Sequence, residues 1–439
     1  MASPDKTRRP GYAPTSNVGV GRRGLHTRDR ILACAAEVFL ANGFHASSLD
    51  TIAKAANASR ATVYQYFAGK EDIFRELSAA AEREMLQHSE GLGELGPTVA
   101  GVDALHRWLV DWADIYDAHA VVFAEFPGIG TATGLAVIDA GAVAESFRLT
   151  VTERLGRAPL RGLDLHDAAA VLGRIPHMVQ LYRHRAMFPL PDRGAVSWSL
   201  TVALQLMLFP DTPDEALQGA APSGIDDSPG QPPVVVEPPE STAEVAGIAL
   251  SPIAQDVLAA SSALFAERGY YVVGMEEIAA ATELSRATLY RYFSTKAEIL
   301  AELTRRAVTE IEDQAAALRG MAPGALTEWM LGYVRFHRTY RGVIRAWFDG
   351  TVAEQLSDAS VDHGIGAIHR AVEALLNTVD LPAGIDDQVA GAVFMAVLGR
   401  MTEPTGADAP HSDERAAALM VNLLRRSLLR GTAQSGGAT

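Results

Sequence analysis

Residues 59–70 read Ser-Arg-Ala-Thr-Val-Tyr-Gln-Tyr-Phe-Ala-Gly-Lys, a run dense in groups able to hold a nucleic acid. Arg60 offers a bidentate fork to a guanine edge or a phosphate, and Ala61 is small enough to meet bases and touch a thymine methyl. Ser59 opens the run. Thr62, Tyr64 and Tyr66 bring hydroxyls for phosphate oxygens, Gln65 lies among them, and Lys70 adds a point charge. Upstream, Ser48 suits a helix N-cap whose free amides could receive a backbone phosphate.

The run recurs at residues 285–296 as Ser-Arg-Ala-Thr-Leu-Tyr-Arg-Tyr-Phe-Ser-Thr-Lys, displaced by 226 positions. Between Ser59–Ile73 and Ser285–Ile299, nine of fifteen positions are identical, so the chain reads as two versions of one protein joined end to end. A period of this length exceeds that of solenoid repeats, roughly 20–50 residues, and is long enough for whole domains. The duplicated contact set is Ser285, Arg286, Ala287, Thr288, Tyr290, Arg291, Tyr292 and Lys296.

These side chains need short helices to aim them. Ile31, Leu32, Ala35, Val38 and Phe39 share one helical face, and Asn42-Gly43 stops that helix. Val257, Leu258, Ser261, Leu264 and Phe265 repeat the design, with Ser251-Pro252 at its start and Gly269 at its end. The pattern predicts a second helix over about 48–56, with Leu49, Ile52 and Ala53 apolar, and a third beginning near Ser59. Two short helices joined by a three- or four-residue turn make a helix-turn-helix, whose second member enters the major groove.

At these residues the chain resembles the TetR family of bacterial transcriptional regulators. That family's motif runs Thr-x-x-x-Ile-Ala-x-x-Ala-Gly-Val-Ser-x-Gly-Thr-Leu-Tyr-x-Tyr-Phe-x-x-Lys. Here it stands as Ser48, Ile52-Ala53, Ala56, Ser59, Thr62, Val63, Tyr64, Tyr66-Phe67 and Lys70. In the second copy it stands as Ile278-Ala279, Ser285, Thr288, Leu289, Tyr290, Tyr292-Phe293 and Lys296. The resemblance implies an all-α fold of two halves. Each half would be a three-helix DNA-binding head on a helical body with a ligand pocket and two C-terminal dimerisation helices. Here those helices, near 165–182 and 193–209, would pair with those near 386–402 and 412–430 as an intrachain pseudo-dimer, placing the heads roughly 34–36 Å apart.

The copies carry unequal surfaces. Residues 22–75 hold eight basic and five acidic residues, net +3, while residues 248–301 hold four and six, net −2. The family's turn glycine is Asn57 in one copy and Glu283 in the other, and Ser48 corresponds to Gly274. The first head therefore reads as the stronger DNA binder. A basic arm precedes it, of which Arg22 and Arg23 lie nearest the first helix and could reach phosphates or a minor groove.

The division expected is a disordered arm at 1–24, heads at 25–76 and 251–302, bodies at 77–210 and 303–431, an acidic linker at 211–250 and a tail at 432–439. The linker carries eight acids, seven prolines and no Lys or Arg, or −8 of the chain's net −15. Both bodies hold aromatic stripes. Trp108, Trp112, Phe123, Phe126 and Met178 are the pocket candidates in one, and Trp329, Tyr333, Phe336 and Trp347 in the other. For such stripes ordinary core packing is the commoner role. The bodies align at an offset of 221 over Trp108/Trp329 and Trp112/Tyr333, and at 226 over Val171–Arg174 and Val397–Arg400.

With 48% hydrophobic and 21% charged residues the chain reads as a soluble globular protein, and no 18-residue apolar run argues for a membrane span. A single cysteine, Cys34, excludes a disulfide framework and fits a cytoplasmic setting. The basic start lacks the apolar core of a secretory signal. There is no phosphate loop, dinucleotide fingerprint, nucleophile elbow or zinc-protease motif, so neither enzyme chemistry nor a metal or other cofactor is expected. The partners expected are a double-stranded DNA operator and a small-molecule effector. The leading reading is a ligand-responsive repressor acting as a monomeric pseudo-dimer on two unequal half-sites. The alternative lets only the first head read DNA, with the second half a sensor or interaction module and the chain a homodimer.

Overall fold

A computed structural model describes residues 22–44, 46–125, 140–222, 251–322, 324–347, 358–405 and 412–430. Among them are nineteen α-helices and no strand. The first head comprises α1 (Arg22–Asn42), α2 (Leu49–Ala55) and α3 (Arg60–Tyr66). Its body comprises α4 (Lys70–Glu90), α5 (Val99–Ala118), α6 (Ala120–Glu125), α7 (Ala140–Leu155), α8 (Leu165–His184), α9 (Arg193–Leu208) and α10 (Asp214–Ala220). The second head comprises α11 (Pro252–Arg268), α12 (Met275–Ala281) and α13 (Arg286–Tyr292). Its body holds α14 (Lys296–Arg319), α15 (Leu326–Thr339), α16 (Arg341–Trp347), α17 (Asp358–Leu376), α18 (Asp387–Arg400) and α19 (Asp413–Arg426).

The head helices form where caps and apolar faces dictate. Ile31, Ala35, Val38 and Phe39 are buried along α1, and Gly43 ends it with φ 74°, left-handed backbone that glycine takes without strain. Ser251 Oγ accepts from the amide of Ala254, with Pro252 in the first turn of α11. Both expected disordered boundaries move. α1 already begins at Arg22, so Arg22 and Arg23 stand on its first turn and the rest of the arm lies outside the described residues. The folded first half also runs past 210. Asp214 and Glu215 occupy the first turn of α10, where acids suit the positive end of the helix, and Ala216 and Leu217 are buried on the side packed on α5. Thus twelve residues of the expected linker, 211–222, are described with the body, and 223–250 lie outside the described residues.

The halves meet along one seam. Helix α9 is buried all round, with every residue from Val196 to Leu208 inaccessible, Ser197, Ser199, Thr201 and Gln205 among them, so it is enclosed on all sides. It packs on α5, α18 and α19, and α8 packs on α18. The halves thus meet through α8 and α9 against α18 and α19, the helices the sequence expects to pair. Polar ties cross it: Asp167 on α8 accepts from Thr405 Oγ1 at 2.5 Å and pairs with Arg415 at 3.2 Å, and Arg426 donates to the carbonyl of Leu208 at 3.0 Å.

Candidate nucleic-acid interface

Both turns of the helix-turn-helix are left-handed at one residue. Asn57 has φ 45° and Glu283 φ 55°, the conformation a glycine would take freely. Asn is among the side chains that tolerate it, whereas Glu is strained there. Ser59 caps α3 by accepting from the amide of Thr62 at 3.0 Å, and Ser285 caps α13 identically at 3.1 Å. Ser48 caps α2 through the amide of Thr51. Gly274 lacks that hydroxyl, and the second head compensates from the opposite direction: its own amide donates to Glu277 at 2.9 Å, a carboxylate also paired with Arg268.

The recognition helices present one face to solvent. Arg60, Ala61, Tyr64 and Gln65 are exposed, and so are Arg286, Ala287, Tyr290 and Arg291. Thr62, Tyr66, Thr288 and Tyr292 are half-buried, while Val63, Phe67, Leu289 and Phe293 fill the core beneath. Each leading arginine is held by the preceding helix. Arg60 reaches Asp50 at 3.2 Å and the Tyr64 hydroxyl at 3.3 Å, and Arg286 pairs with Glu276. Asp50 and Glu276 occupy equivalent positions, so both heads park this guanidinium on a carboxylate that a nucleic acid would have to displace. Both pairs are exposed, where such bridges are worth about 0–1 kcal/mol, so displacement is cheap.

One sequence expectation needs correcting. Lys70 is not a solvent-facing charge: its ammonium donates to the carbonyls of Phe44 at 2.9 Å and Ser47 at 3.0 Å and lies 4.7 Å from the Phe44 ring centroid. Lys296 does the same with Tyr270, Tyr271 and Val273, over the Tyr270 ring at 4.3 Å. Burial pulls the Lys296 pKa down, opposed by Glu277. These lysines clamp the first body helix to the loop entering α2 or α12, which fixes the head on its body. The carbonyls they use are invisible to a side-chain motif.

The aromatic stripes are core as well as candidate pocket. Trp108 and Trp329 donate their indole N–H to the carbonyls of His88 and Gln314, at 3.0 and 2.9 Å. Trp347 Nε1 lies 3.2 Å from Thr304 Oγ1. Trp112, Phe123, Met178, Tyr333 and Phe336 are buried, and Phe126 lies outside the described residues. Helix α8 runs through Pro176, so His177 and His184 share it; among the described residues no cluster of three metal-ligating side chains is present. A cleft of about 680 Å³ opens elsewhere, between the α4–α5 loop and the end of α7, edged by Glu90, Glu94, Glu153, Arg154 and Arg157. Nor is any described helix long and apolar enough to cross a membrane.

Fold and interface together define a protein of the helix-turn-helix class carrying two heads on a shared helical body. The N-terminal domain of the bacterial regulatory proteins of the tetR family matches residues 31–77 and again 257–303. The two matched segments stand 226 residues apart, one over each head, so both heads are similar to that family's domain. It is 31% identical over 104 residues to the uncharacterized HTH-type transcriptional regulator YhgD of Bacillus subtilis, covering 23% of this chain and 53% of that protein. It is 35% identical over 85 residues to the uncharacterized HTH-type transcriptional regulator TtgW of Pseudomonas putida, covering 18% and 63%. The chain thus spans between half and two thirds of the length of these curated relatives. The crystal structure of the TetR family transcriptional regulator PfmR from Thermus thermophilus is similar at 22% identity and a TM-score of 0.30, over 38% of this chain and 97% of that one.

Proposed function

We propose that the chain is a ligand-responsive transcriptional repressor, working in the cytoplasm, that engages a DNA operator as a single-chain pseudo-dimer. The observation that carries this reading is the seam in which α8 and α9 of one half pack on α18 and α19 of the other. It supplies within one chain the pairing that would otherwise need two. The two heads differ in charge, in turn residue and in capping, which suits two unequal half-sites rather than a true palindrome. Arg60, Tyr64 and Gln65 in one head, and Arg286, Tyr290 and Arg291 in the other, are the exposed groups for bases and phosphates. An effector that favours a body shape with the heads mis-spaced would release the operator by differential stability of the two shapes.

Footprinting on a selected operator, with the mass of the complex measured in parallel, tests the reading: one chain should protect a full two-half site. Two chains per site would sink it. That outcome would favour the second reading, in which only the first head reads DNA. Glu283 at the strained turn of the second head, an acid that would face phosphates, is the observation on that side.

A further inference from the structure

The two bodies differ in hydrogen bonding at equivalent places. Trp108 and Trp329 are matched, each indole held by an equivalent carbonyl. One helical turn later the copies part. Trp112 is 3% exposed and its Nε1 has no hydrogen-bond partner among the described residues, and Tyr116 is fully buried with a hydroxyl that also has none there. On α8, Gln180 is 1% exposed, and while its Oε1 accepts from Arg183 at 2.7 Å its Nε2 has no partner among the described residues. The residues of α15 corresponding to Trp112 and Tyr116 are Tyr333 and His337, and His337 Nδ1 lies 2.9 Å from Thr402 Oγ1. The remaining indole there, that of Trp347, is taken by Thr304.

The unpartnered groups of the first body lie among rings. Trp112 stands 5.2 Å from Phe123, 6.4 Å from Phe147 and 6.2 Å from Tyr116, and Tyr116 stands 5.7 Å from His177, one turn before Gln180 on α8. Two of the three polar atoms, the indole and amide N–H groups, can only donate, and the tyrosine hydroxyl can donate too. Buried donors without acceptors are rare in folded proteins and call for a specific occupant. Close to Tyr116, Arg183 is paired with Asp117 and Arg185 donates to the carbonyl of Ala124 at 2.8 Å, while burial keeps His88, stacked on Trp108 at 4.4 Å, neutral.

We propose that the first body, and not the second, holds the effector site, which takes one flat aromatic molecule bearing oxygen acceptors, of the aryl-ketone kind. Its rings would slide among Trp112, Tyr116, Phe123 and Phe147, and its oxygens would accept from Trp112, Tyr116 and Gln180. This rests on the ligand-responsive reading above and adds to it the location, number and chemistry of the ligand.

Calorimetric titration of the full chain with flavone tests it, beside 2-phenylnaphthalene, which has a similar outline and no acceptor. Flavone should bind once per chain and at least tenfold tighter than the hydrocarbon. W112F and Y116F together should erase that advantage, while W347F in the second body should leave it intact. Y116F removes only an unpartnered hydroxyl and should not lower the melting temperature, whereas W112F also trims ring area from the core, so Y116F alone separates lost binding from lost folding. Two equal sites per chain, or W347F weakening binding as much as W112F, would overturn the one-sided assignment. Equal affinity for the hydrocarbon, or no flavone binding, would overturn the ligand class. Flavone bound at one site with the operator still held would uphold this site and defeat the proposed response.

Discussion

The guanidinium of Arg174 donates to the main-chain carbonyl of Arg400, its own counterpart 226 residues later, at 3.1 Å. It also donates to the carbonyls of Glu403 at 3.1 Å and Pro404 at 2.6 Å. Helix α18 ends at Arg400 and leaves carbonyls without intrahelical partners, whereas α8 continues past residue 174 to His184. Equivalent arginines therefore play different parts: one half caps the other's helix, and among the described residues no hydrogen bond from Arg400 mirrors it. Burial, with Arg400 nearby, pulls the Arg174 pKa down to about 10, which leaves it charged at neutral pH.

R174M should accordingly destabilise the seam by about 3 kcal/mol, since it strands buried carbonyls that an apolar side chain cannot satisfy. R400M keeps the main-chain acceptor and should cost less than half as much. Urea midpoints of the two full-length variants decide this; equal losses would mean that the cap does not order the seam.

Lys70 makes the second prediction. As a clamp it should act on stability, so K70M should lower the melting temperature and weaken operator binding while leaving the slope of log K against log salt unchanged. A phosphate contact would instead flatten that slope by about one. Arg60 is the comparison: R60M should flatten the slope with little effect on melting, because its Asp50 pair is exposed.

The heads are legible in the sequence because caps and apolar spacing act locally: Ser59, Ser285 and the Ile31–Phe39 stripe specify helices without reference to the rest of the chain. The seam is legible through the repeat, since Val171–Arg174 recurs as Val397–Arg400. What escapes is chemistry routed through backbone. The carbonyls that hold Lys70, Lys296, Trp108 and Trp329 carry no residue signature, and the asymmetric cap at Arg174 arises only because α18 stops where α8 does not. The acidic run at Asp214-Glu215 reads as solvated linker because charge looks the same in a coil and at a helix N-terminus. Only Ala216 and Leu217, buried against α5, separate the two.

Glu283 offers a gain rather than a loss. Its φ of 55° strains a side chain, and its carboxylate stands in the turn before the recognition helix. E283G should raise stability by about 1 kcal/mol through relief of left-handed strain. It should also tighten operator binding by removing a negative charge near phosphate. N57G should stabilise less, since Asn already tolerates the conformation. Melting curves and binding isotherms at one fixed salt concentration test both, and an E283G protein that binds no better would argue that the second head stays off the DNA.

Acid should loosen the molecule before its carboxylates titrate. His88, His337 and His369 are buried, and that burial pushes each pKa down to about 4, with Arg370 helping at His369 and Glu403 opposing at His337. In the unfolded chain each would titrate near 6.5. Between those values the unfolded state binds protons that the folded state refuses, so stability is full above about pH 7 and falls as pH drops toward 4. Each histidine should contribute up to about 1.4 kcal/mol per pH unit in that window. His369 stacks on Phe188 across the seam at 4.1 Å, so the loss falls partly on the contact between halves. H337N and H369N, which cannot titrate, should each flatten the dependence of the urea midpoint on pH between 6.5 and 5. An unchanged slope in both variants would place the acid sensitivity elsewhere.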